Sequence, residues 1–203
     1  MDKNQLRKEK SEIRLREAMI ELIHEIGFER ITIIDLCKKA GVNRGTFYLH
    51  YPDKYALYDQ MKAERIHELK QLINTIQPQA MVEHIEQVKA SEQVRPHPIQ
   101  LQICQFFYEH AAFFRVIMGP NGDQKYMQQL RATIIDLMTL RVHEFGEGVK
   151  QFPVPNSYLV TYLISANIGM IQRWMEDGCP FPPEQVATAI MRLTQHVLSS
   201  FRA

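Results

Sequence analysis

Apolar residues recur every three or four positions along most of this chain, which is the spacing of helices that bury one face. The stripe is clear in residues 5–26 and again from Asp53 to about Thr75. Later segments with the same spacing are 78–89, 99–118 with a break near Glu109, 124–147, 156–177 and 183–201. No segment alternates between apolar and polar residues as a strand would. The pattern therefore predicts an all-α fold of about nine helices.

Between the first two long segments lie two very short helices joined by a tight turn. The first runs from about Ile33 to Ala40, and Gly41 supplies a turn residue with positive φ. Asn43 then caps a second helix of barely two turns, which is too short to be stable alone. Two short helices across a glycine turn are typical of the helix-turn-helix, whose second helix enters the DNA major groove.

The residues of the second short helix divide into two faces. Phe47 and Tyr51 lie four apart and are expected to pack on the first short helix. The other side chains point outward and suit phosphates and base edges, while a lysine opening the next helix could share a phosphate with free N–H groups. The predicted DNA-binding residues are Thr32, which caps the first short helix, and Arg44, Gly45, Thr46, Tyr48, Leu49, His50 and Lys54. Two alternatives stay open: the segment is an ordinary surface turn, or His50 only solvates helix-end carbonyls.

The run GFERITIIDLCKKAGVNRGTFYLHYPDKYALY (27–58) is similar to the DNA-binding domain of the tetracycline-repressor (TetR) family of bacterial regulators. Asn43, where the family often has Ser, is a small departure because both residues cap helices. Cys37 is another, in a helix where a small residue such as Ala is common. The resemblance implies DNA contacts by Thr46, Tyr48, Leu49 and His50, with Arg44 and Lys54 near the backbone.

The middle of the chain resembles one C-terminal type within that family. The residues that carry this resemblance are 106–130 and 168–178, with the pattern FFxxxxGxxGD matched at 113–123. The type implies an all-helical regulatory domain and names no effector. We therefore expect a helix-turn-helix DNA-binding domain at 1–52 and a helical ligand-binding and dimerisation domain at 53–203.

Composition sets weaker bounds on the chain. Its 203 residues are 45% hydrophobic and 23% charged, with a net charge of only +1. Residues 1–16 hold six Lys/Arg against three Asp/Glu, and residues 38–54 hold four against one. No apolar run of 18 residues and no signal-peptide pattern occurs, and the three cysteines are widely spaced. We therefore expect a cytoplasmic protein with reduced thiols and no membrane partner.

The last two helices combine small and large apolar residues in a pattern typical of an association surface. The predicted dimer-interface residues are Leu159, Leu163, Met170, Ile190, Leu193 and Val197. The alternative is that they complete the core of one molecule. A dimer reads a pseudo-palindrome with half-sites about 34–36 Å or a multiple of that distance apart, whereas one recognition helix contacts few base pairs. The TetR family uses its last two helices in this way.

Aromatic residues are concentrated between residues 106 and 126. They could line an apolar pocket with a few polar groups, as small-molecule sites usually have. The predicted ligand-binding residues are Phe107, His110, Phe114, Arg115 and Trp174. The alternative is that aromatics at helical spacing simply form the core.

Two Glu-x-x-His pairs raise a different class of function. Glu21 with His24, and Glu64 with His67, have the spacing of di-iron ligands in helical bundles. The intervening helices are too short for a bundle, so an enzyme is a remote alternative, and we predict no catalytic residue, metal site or cofactor. The preferred interpretation is a ligand-responsive repressor that binds a pseudo-palindromic operator as a dimer. The alternative is an activator, or a regulator that needs its ligand in order to bind DNA.

Overall fold

The computed structural model describes residues 3–76, 95–119, 122–144 and 154–200. Within these ranges the chain forms nine α-helices, one short 3₁₀ turn (Phe28–Arg30) and no strand. The helices are α1 (Lys3–Ile26), α2 (Ile33–Ala40), α3 (Arg44–His50), α4 (Lys54–Asn74), α5 (Pro98–Glu109), α6 (Ala111–Met118), α7 (Gln124–Glu144), α8 (Asn156–Glu176) and α9 (Pro183–Ser200). The predicted all-α fold is confirmed.

Local signals set the ends of the short helices. At the start of α2, the Thr32 hydroxyl accepts from Asp35 N–H, and the Asp35 carboxylate accepts from Thr32 N–H in return. Gly41 ends α2 in the left-handed conformation (φ 64°), which a residue with a Cβ resists. Asn43 then caps α3, its side-chain oxygen accepting from Thr46 N–H at 2.7 Å.

The first three helices share a core with the start of α4. Leu15 and Met19 of α1, Leu36 of α2, Phe47 of α3 and Leu57 of α4 are all fully buried. A helix as short as α3 is therefore held by packing rather than by its own hydrogen bonds.

Helix α4 is shared between the two halves of the molecule. It packs against α1 on one side and against α5 and α7 on the other, while α6 also contacts α1. In the C-terminal half, α5 packs on α9, and α7 packs on α8. One continuous set of buried apolar residues runs through both halves.

The predicted break in the apolar segment 99–118 is present in the structure. His110 ends α5 and begins α6, one residue after the predicted position at Glu109. The predicted helix 78–89 and the ends predicted at residues 147 and 201 lie outside the described residues. None of the described helices has the length and apolar character needed to cross a membrane.

Candidate nucleic-acid interface and ligand cavity

The inward face of α3 is anchored to α1 and α2. Phe47 is fully buried, and Tyr51, which follows the helix, is also buried. The Tyr51 hydroxyl donates to Glu12 Oε1 of α1 at 3.2 Å. These contacts fix the rotation of α3 about its axis and so decide which side chains face outward.

The outward face of α3 is a continuous exposed surface. Leu49 is 79% exposed and Tyr48 is 48% exposed, while Arg44 and Gly45 are exposed at the first turn. The half-buried Thr46 lies beside them, and its hydroxyl donates to Asn43 Oδ1 at 3.1 Å. We call Arg44, Gly45, Thr46, Tyr48 and Leu49 the α3 surface. An exposed leucine and tyrosine on so short a helix favour contact with another molecule over a purely structural role.

The other predicted DNA-binding threonine lies at the start of α2. Thr32 is exposed, and its hydroxyl donates to Asp35 Oδ2 at 2.6 Å. Its side chain therefore has a capping role already. Its contact with DNA stays a prediction.

His50, at the end of α3, is tied to α1. Its Nε2 lies 2.8 Å from Ser11 Oγ, and the Ser11 hydroxyl proton is directed to Lys8 O, also at 2.8 Å. Ser11 therefore accepts from His50 Nε2–H. Burial, together with the nearby Lys8 charge, lowers the pKa of His50 even though Glu12 opposes the shift, so the ring is neutral near pH 7.

This arrangement gives His50 a positioning role that the sequence did not reveal. Ser11 is one of the few polar side chains that the structure buries, and it lies on the basic N-terminal part of α1. The cluster of Lys and Arg in residues 1–16 was visible in the sequence. Its proximity to α3 was not, because residues 39 positions apart meet only after folding.

Lys54 differs from the sequence-based expectation. Its ammonium donates to the carbonyls of Phe28, Glu29 and Ile31 at 3.0, 2.9 and 2.9 Å. It also lies 4.8 Å from the centroid of the Phe28 ring. Three acceptors satisfy all three ammonium protons, so Lys54 holds the 3₁₀ turn to α4. Its contact with a phosphate stays a prediction.

Two glutamates of α1 form ion pairs with α2. Lys39 forms ion pairs with Glu21 at 2.8 Å and Glu25 at 2.7 Å. Glu64 of the second Glu-x-x-His pair binds Arg16, and His67 contacts Gln71 at 2.9 Å. Within the part of the chain that the structure describes, no group of three His, Cys, Asp or Glu is arranged to hold a metal ion.

Polar contacts fasten α4 to its neighbours at three levels. Arg16 of α1 binds both carboxylate oxygens of Glu64. The next residue, Arg65, has its Nη1 2.8 Å from His110 Nδ1, and His110 Nε2 lies 3.1 Å from Glu68, one turn after Glu64. Burial and the adjacent Arg65 lower the pKa of His110, although Glu68 opposes the shift.

The third contact fastens α4 to the start of α7. Lys62 forms an ion pair with Asp123 at 3.0 Å. The Tyr126 hydroxyl donates to Lys62 O at 3.1 Å, and burial raises the pKa of that phenol. These contacts join α4 to α1, to the start of α6 and to α7.

A cavity of about 160 Å³ lies in the C-terminal half. Leu69 and Ile73 of α4, with Ile76 just after this helix, form one side, and residues at α5, α7, α8 and α9 form the others. Most of the lining is aliphatic. Its polar members are His97, Gln100, Asn167, Thr194 and Gln195.

Of the predicted ligand-binding residues, only Phe107 lines this cavity. His110 binds Arg65 and Glu68, and Phe114 is fully buried among other aromatic rings. Arg115 is exposed, while Trp174 is buried and donates from Nε1 to Phe181 O at 2.9 Å. Most of the clustered aromatic residues therefore pack between α5 and α6 instead of lining the cavity. The cavity lining is mainly isoleucine and leucine.

The predicted dimer residues separate into buried and outward-facing sets. Ile190 and Leu159 are buried, and Leu163 is half-buried and lines the cavity. Met170 and Val197 are half-buried. Leu193 is 56% exposed, which leaves it as the predicted residue that faces outward most strongly.

Two large exposed residues extend the outward face beyond the prediction. Tyr158 and Tyr162 of α8 are 72% and 58% exposed, and Ala166 and Gly169 follow them as exposed small residues. These four lie three or four positions apart along one face of α8. Together with Leu193 they form what we call the α8–α9 face.

Comparison with protein families gives two matches. Residues 15–61 match the family described as "Bacterial regulatory proteins, tetR family". Residues 95–196, half of the chain, match the family described as "Transcriptional regulator C-terminal region". The first match contains α2, α3 and the turn between them, and the second contains most of the cavity lining.

The chain is also similar to individual proteins. It is 22% identical over 186 residues to the uncharacterized HTH-type transcriptional regulator YxbF of Bacillus subtilis (strain 168), covering 91% of this chain and 45% of that protein. The chain thus spans less than half the length of this relative.

Two solved structures share the fold. The dihydroxyacetone kinase operon activator DhaS aligns with a TM-score of 0.58 at 14% identity, over 95% of this chain and 98% of that one. NalD, the secondary repressor of the MexAB-OprM multidrug efflux pump in Pseudomonas aeruginosa, aligns with a TM-score of 0.57 at 18% identity, over 93% and 96%.

Proposed function

Because the chain belongs to the tetR family of bacterial regulatory proteins, which are DNA-binding transcriptional regulators, we propose that it binds operator DNA and controls transcription in response to a small molecule. The matched proteins are described as regulators, which decides against the enzyme alternative. We place its action in the cytoplasm, where operator DNA lies.

The observation that carries the DNA-binding proposal is the α3 surface. The exposed side chain of Leu49 has nothing to pack against when the protein is alone. An apolar side chain at this position suits contact with the thymine methyl group. Arg44 and Tyr48 offer donors to phosphates at either side. We also propose that the DNA-binding domain ends at residue 52 and that the ligand-binding and dimerisation domain begins at residue 53. Helix α4 is the element common to both units.

We propose that the active form is a homodimer joined through the α8–α9 face. Exposed Tyr158 and Tyr162 share one face of α8 with small residues on which a second helix could pack closely, and Leu193 adds an exposed apolar side chain on α9. In such a dimer, we expect the two α3 helices to bind successive turns of a pseudo-palindromic operator.

The effector is proposed to act through α4. The C-terminal half of this helix forms one side of the cavity, and its N-terminal end holds the 3₁₀ turn of the DNA-binding unit through Lys54. A ligand that favours a different position of Leu69 and Ile73 therefore favours a different spacing of the two α3 helices. Affinity for the operator then falls by population shift.

Repression is the preferred direction of control, and activation is the second candidate. The fold suits both, because NalD is described as a repressor and DhaS as an operon activator. Transcription from a reporter fused to the operator separates them. Loss of a repressor raises reporter expression, whereas loss of an activator lowers it.

The experiment that tests DNA binding begins with selection from random duplexes by the purified protein. The sequenced products are expected to contain an inverted repeat. Leu49→Ala and Tyr48→Ala are then expected to weaken binding to the selected site at least tenfold while the protein stays folded. Leu140→Ala is the matched control, because Leu140 is 61% exposed on α7, away from the α3 surface. Parent-like binding by both α3 variants would overturn the proposed orientation of α3.

The dimer proposal has a separate test. Tyr162→Glu places a charge on the α8–α9 face and is expected to give a monomer by analytical ultracentrifugation, with loss of binding to the full inverted repeat. Leu140→Glu is the control, since it places the same charge at an exposed apolar residue of α7. A Tyr162→Glu protein that remains dimeric would place the interface elsewhere.

A further inference from the structure

We infer that the cavity takes a small uncharged molecule, about one aromatic ring in size, whose hydrogen-bonding group is met by the carboxamide of Asn167. This inference rests on the proposed function, because it names the class of effector. Three features of the cavity support it: the chemistry of its lining, its volume and the position of Asn167.

The lining favours a neutral ligand. Among the described residues that line the cavity, aliphatic side chains predominate, and none is Asp, Glu, Lys or Arg. The polar members are amides, a hydroxyl and an imidazole. A carboxylate or ammonium entering such a site loses its hydration without meeting a permanently charged side chain of opposite sign, which strongly disfavours binding.

The volume favours a small ligand. Engineered cavities of about 150 Å³ in other proteins accept benzene when they are lined by Leu, Ile and Phe. The cavity here is about 160 Å³ and has a similar lining. Typical drug-sized ligands need roughly 300 Å³ or more. A single ring with one or two small substituents therefore fits without any movement of α4.

Asn167 gives the cavity its polar specificity. It lies on α8, half-buried, with Ile164, Ile168 and Ile171 as neighbouring lining residues on the same helix. Its carboxamide carries two donors and an acceptor, so it can pair with a phenolic hydroxyl, a carbonyl or a ring N–H. One hydrogen bond of this kind contributes about 0.5–1.5 kcal/mol, which corresponds to roughly two- to tenfold in affinity.

Three probes, each a benzene ring that carries one methyl group, test whether the cavity prefers a neutral hydrogen-bonding ligand, a purely apolar ligand or an anion. At pH 7, p-cresol and toluene are neutral, whereas p-toluate is a carboxylate. Calorimetry on the parent protein is expected to show that p-cresol binds more tightly than toluene, by about two- to tenfold. We expect no measurable binding of p-toluate. Equal or tighter binding of p-toluate, or binding of neither neutral probe, would overturn the inference.

Two variants locate the binding to the cavity. Asn167→Leu is expected to weaken p-cresol to the level of toluene and to leave toluene unchanged. Gln105→Leu, which replaces an exposed amide on α5, is the matched control and is expected to leave both affinities unchanged. Ile134→Phe fills space in the cavity and is expected to weaken both neutral probes at least tenfold. A parent-like preference for p-cresol in Asn167→Leu would contradict the assignment of Asn167.

The same proteins distinguish this inference from the proposed function. Operator affinity is measured by fluorescence anisotropy with and without saturating p-cresol. If p-cresol binds and weakens operator binding, both stand. If it binds and operator affinity is unchanged, the ligand class stands and the coupling through α4 is overturned. If operator DNA is not bound at all, the proposed function fails while the calorimetric result stands.

Discussion

Replacement of Lys54 by Met is the perturbation that most directly tests the structure against the sequence-based expectation. Lys54 Nζ donates to three carbonyls, of which those of Phe28 and Ile31 are partly buried and that of Glu29 is exposed. Methionine keeps an apolar stem of similar length and removes the charge. The partly buried carbonyls then lose their donor.

The magnitude follows from these contacts. The two partly buried acceptors contribute about 1 kcal/mol each, and the ammonium over the Phe28 ring adds about 0.5–1 kcal/mol. Water replaces the donor at the exposed Glu29 carbonyl, so that contact adds little. We expect Lys54→Met to lower the free energy of unfolding by about 2–3 kcal/mol, which lowers Tm by roughly 5–10 °C for a chain of this size.

Thermal and urea unfolding followed by circular dichroism measure this change. Lys70→Met is the matched control, because Lys70 is an exposed lysine on the same helix, and it is expected to change the free energy of unfolding by less than about 0.5 kcal/mol.

Salt dependence of operator binding separates the two roles of Lys54. A lysine that contacts a phosphate contributes about 0.9 to the slope of log K against log salt concentration. We expect the slope for Lys54→Met to equal that of the parent at a temperature where both are folded. Parent-like stability together with a reduced slope would refute the internal role.

Three further predictions concern single residues. Gly41→Ala is expected to lower the free energy of unfolding by about 1–2 kcal/mol, because residue 41 has φ 64° and only backbone strain is added; Gly41→Asn costs less. Trp174→Phe is expected to cost about 1–2 kcal/mol, since Phe181 O loses the Nε1–H donor. Folding lowers the pKa of His110 beneath its usual 6.5, by burial and by Arg65. As the pH falls, the unfolded chain therefore takes up the proton first. The contribution of neutral His110 to the free energy of unfolding is present above pH 6.5 and is lost as the pH falls through the lowered pKa of the folded state. Tm is expected to drop more between pH 7.5 and 5.5 for the parent than for His110→Gln.

Each of these has a result that would contradict it. For Gly41, the alanine and asparagine variants would unfold at the same urea concentration as the parent. For Trp174, the phenylalanine variant would show no change in urea midpoint. For His110, the parent and the glutamine variant would lose the same number of degrees on acidification.

The helix-turn-helix was predictable because its signals are local. Thr32, Gly41 and Asn43 act within three or four residues of their own positions, through a capping box, a left-handed turn and an N-cap. The buried and exposed faces of α3 also follow from helical spacing alone, as the contrast between Phe47 and Leu49 shows.

The cavity was not predictable in the same way. Its lining comes from five helices, and Leu69 and Thr194 are 125 positions apart in the chain. Aromatic concentration drew attention to Phe114 and Trp174, which are packed in the core. Periodicity tells which residues are buried, but it does not tell whether their neighbours fill the space or leave it open.

By itself, the sequence determined the all-α class, the helix-turn-helix and the family, because hydrophobic period, caps and motif spacing are properties of neighbouring residues. Only the tertiary structure decided that Lys54 binds backbone carbonyls and that His50 forms a hydrogen bond with Ser11. It also decided that Leu163 lines a cavity while Leu193 faces outward. A long side chain takes whichever partners the fold brings within about 3 Å, and those partners come from distant parts of the chain. Helical spacing alone cannot specify them.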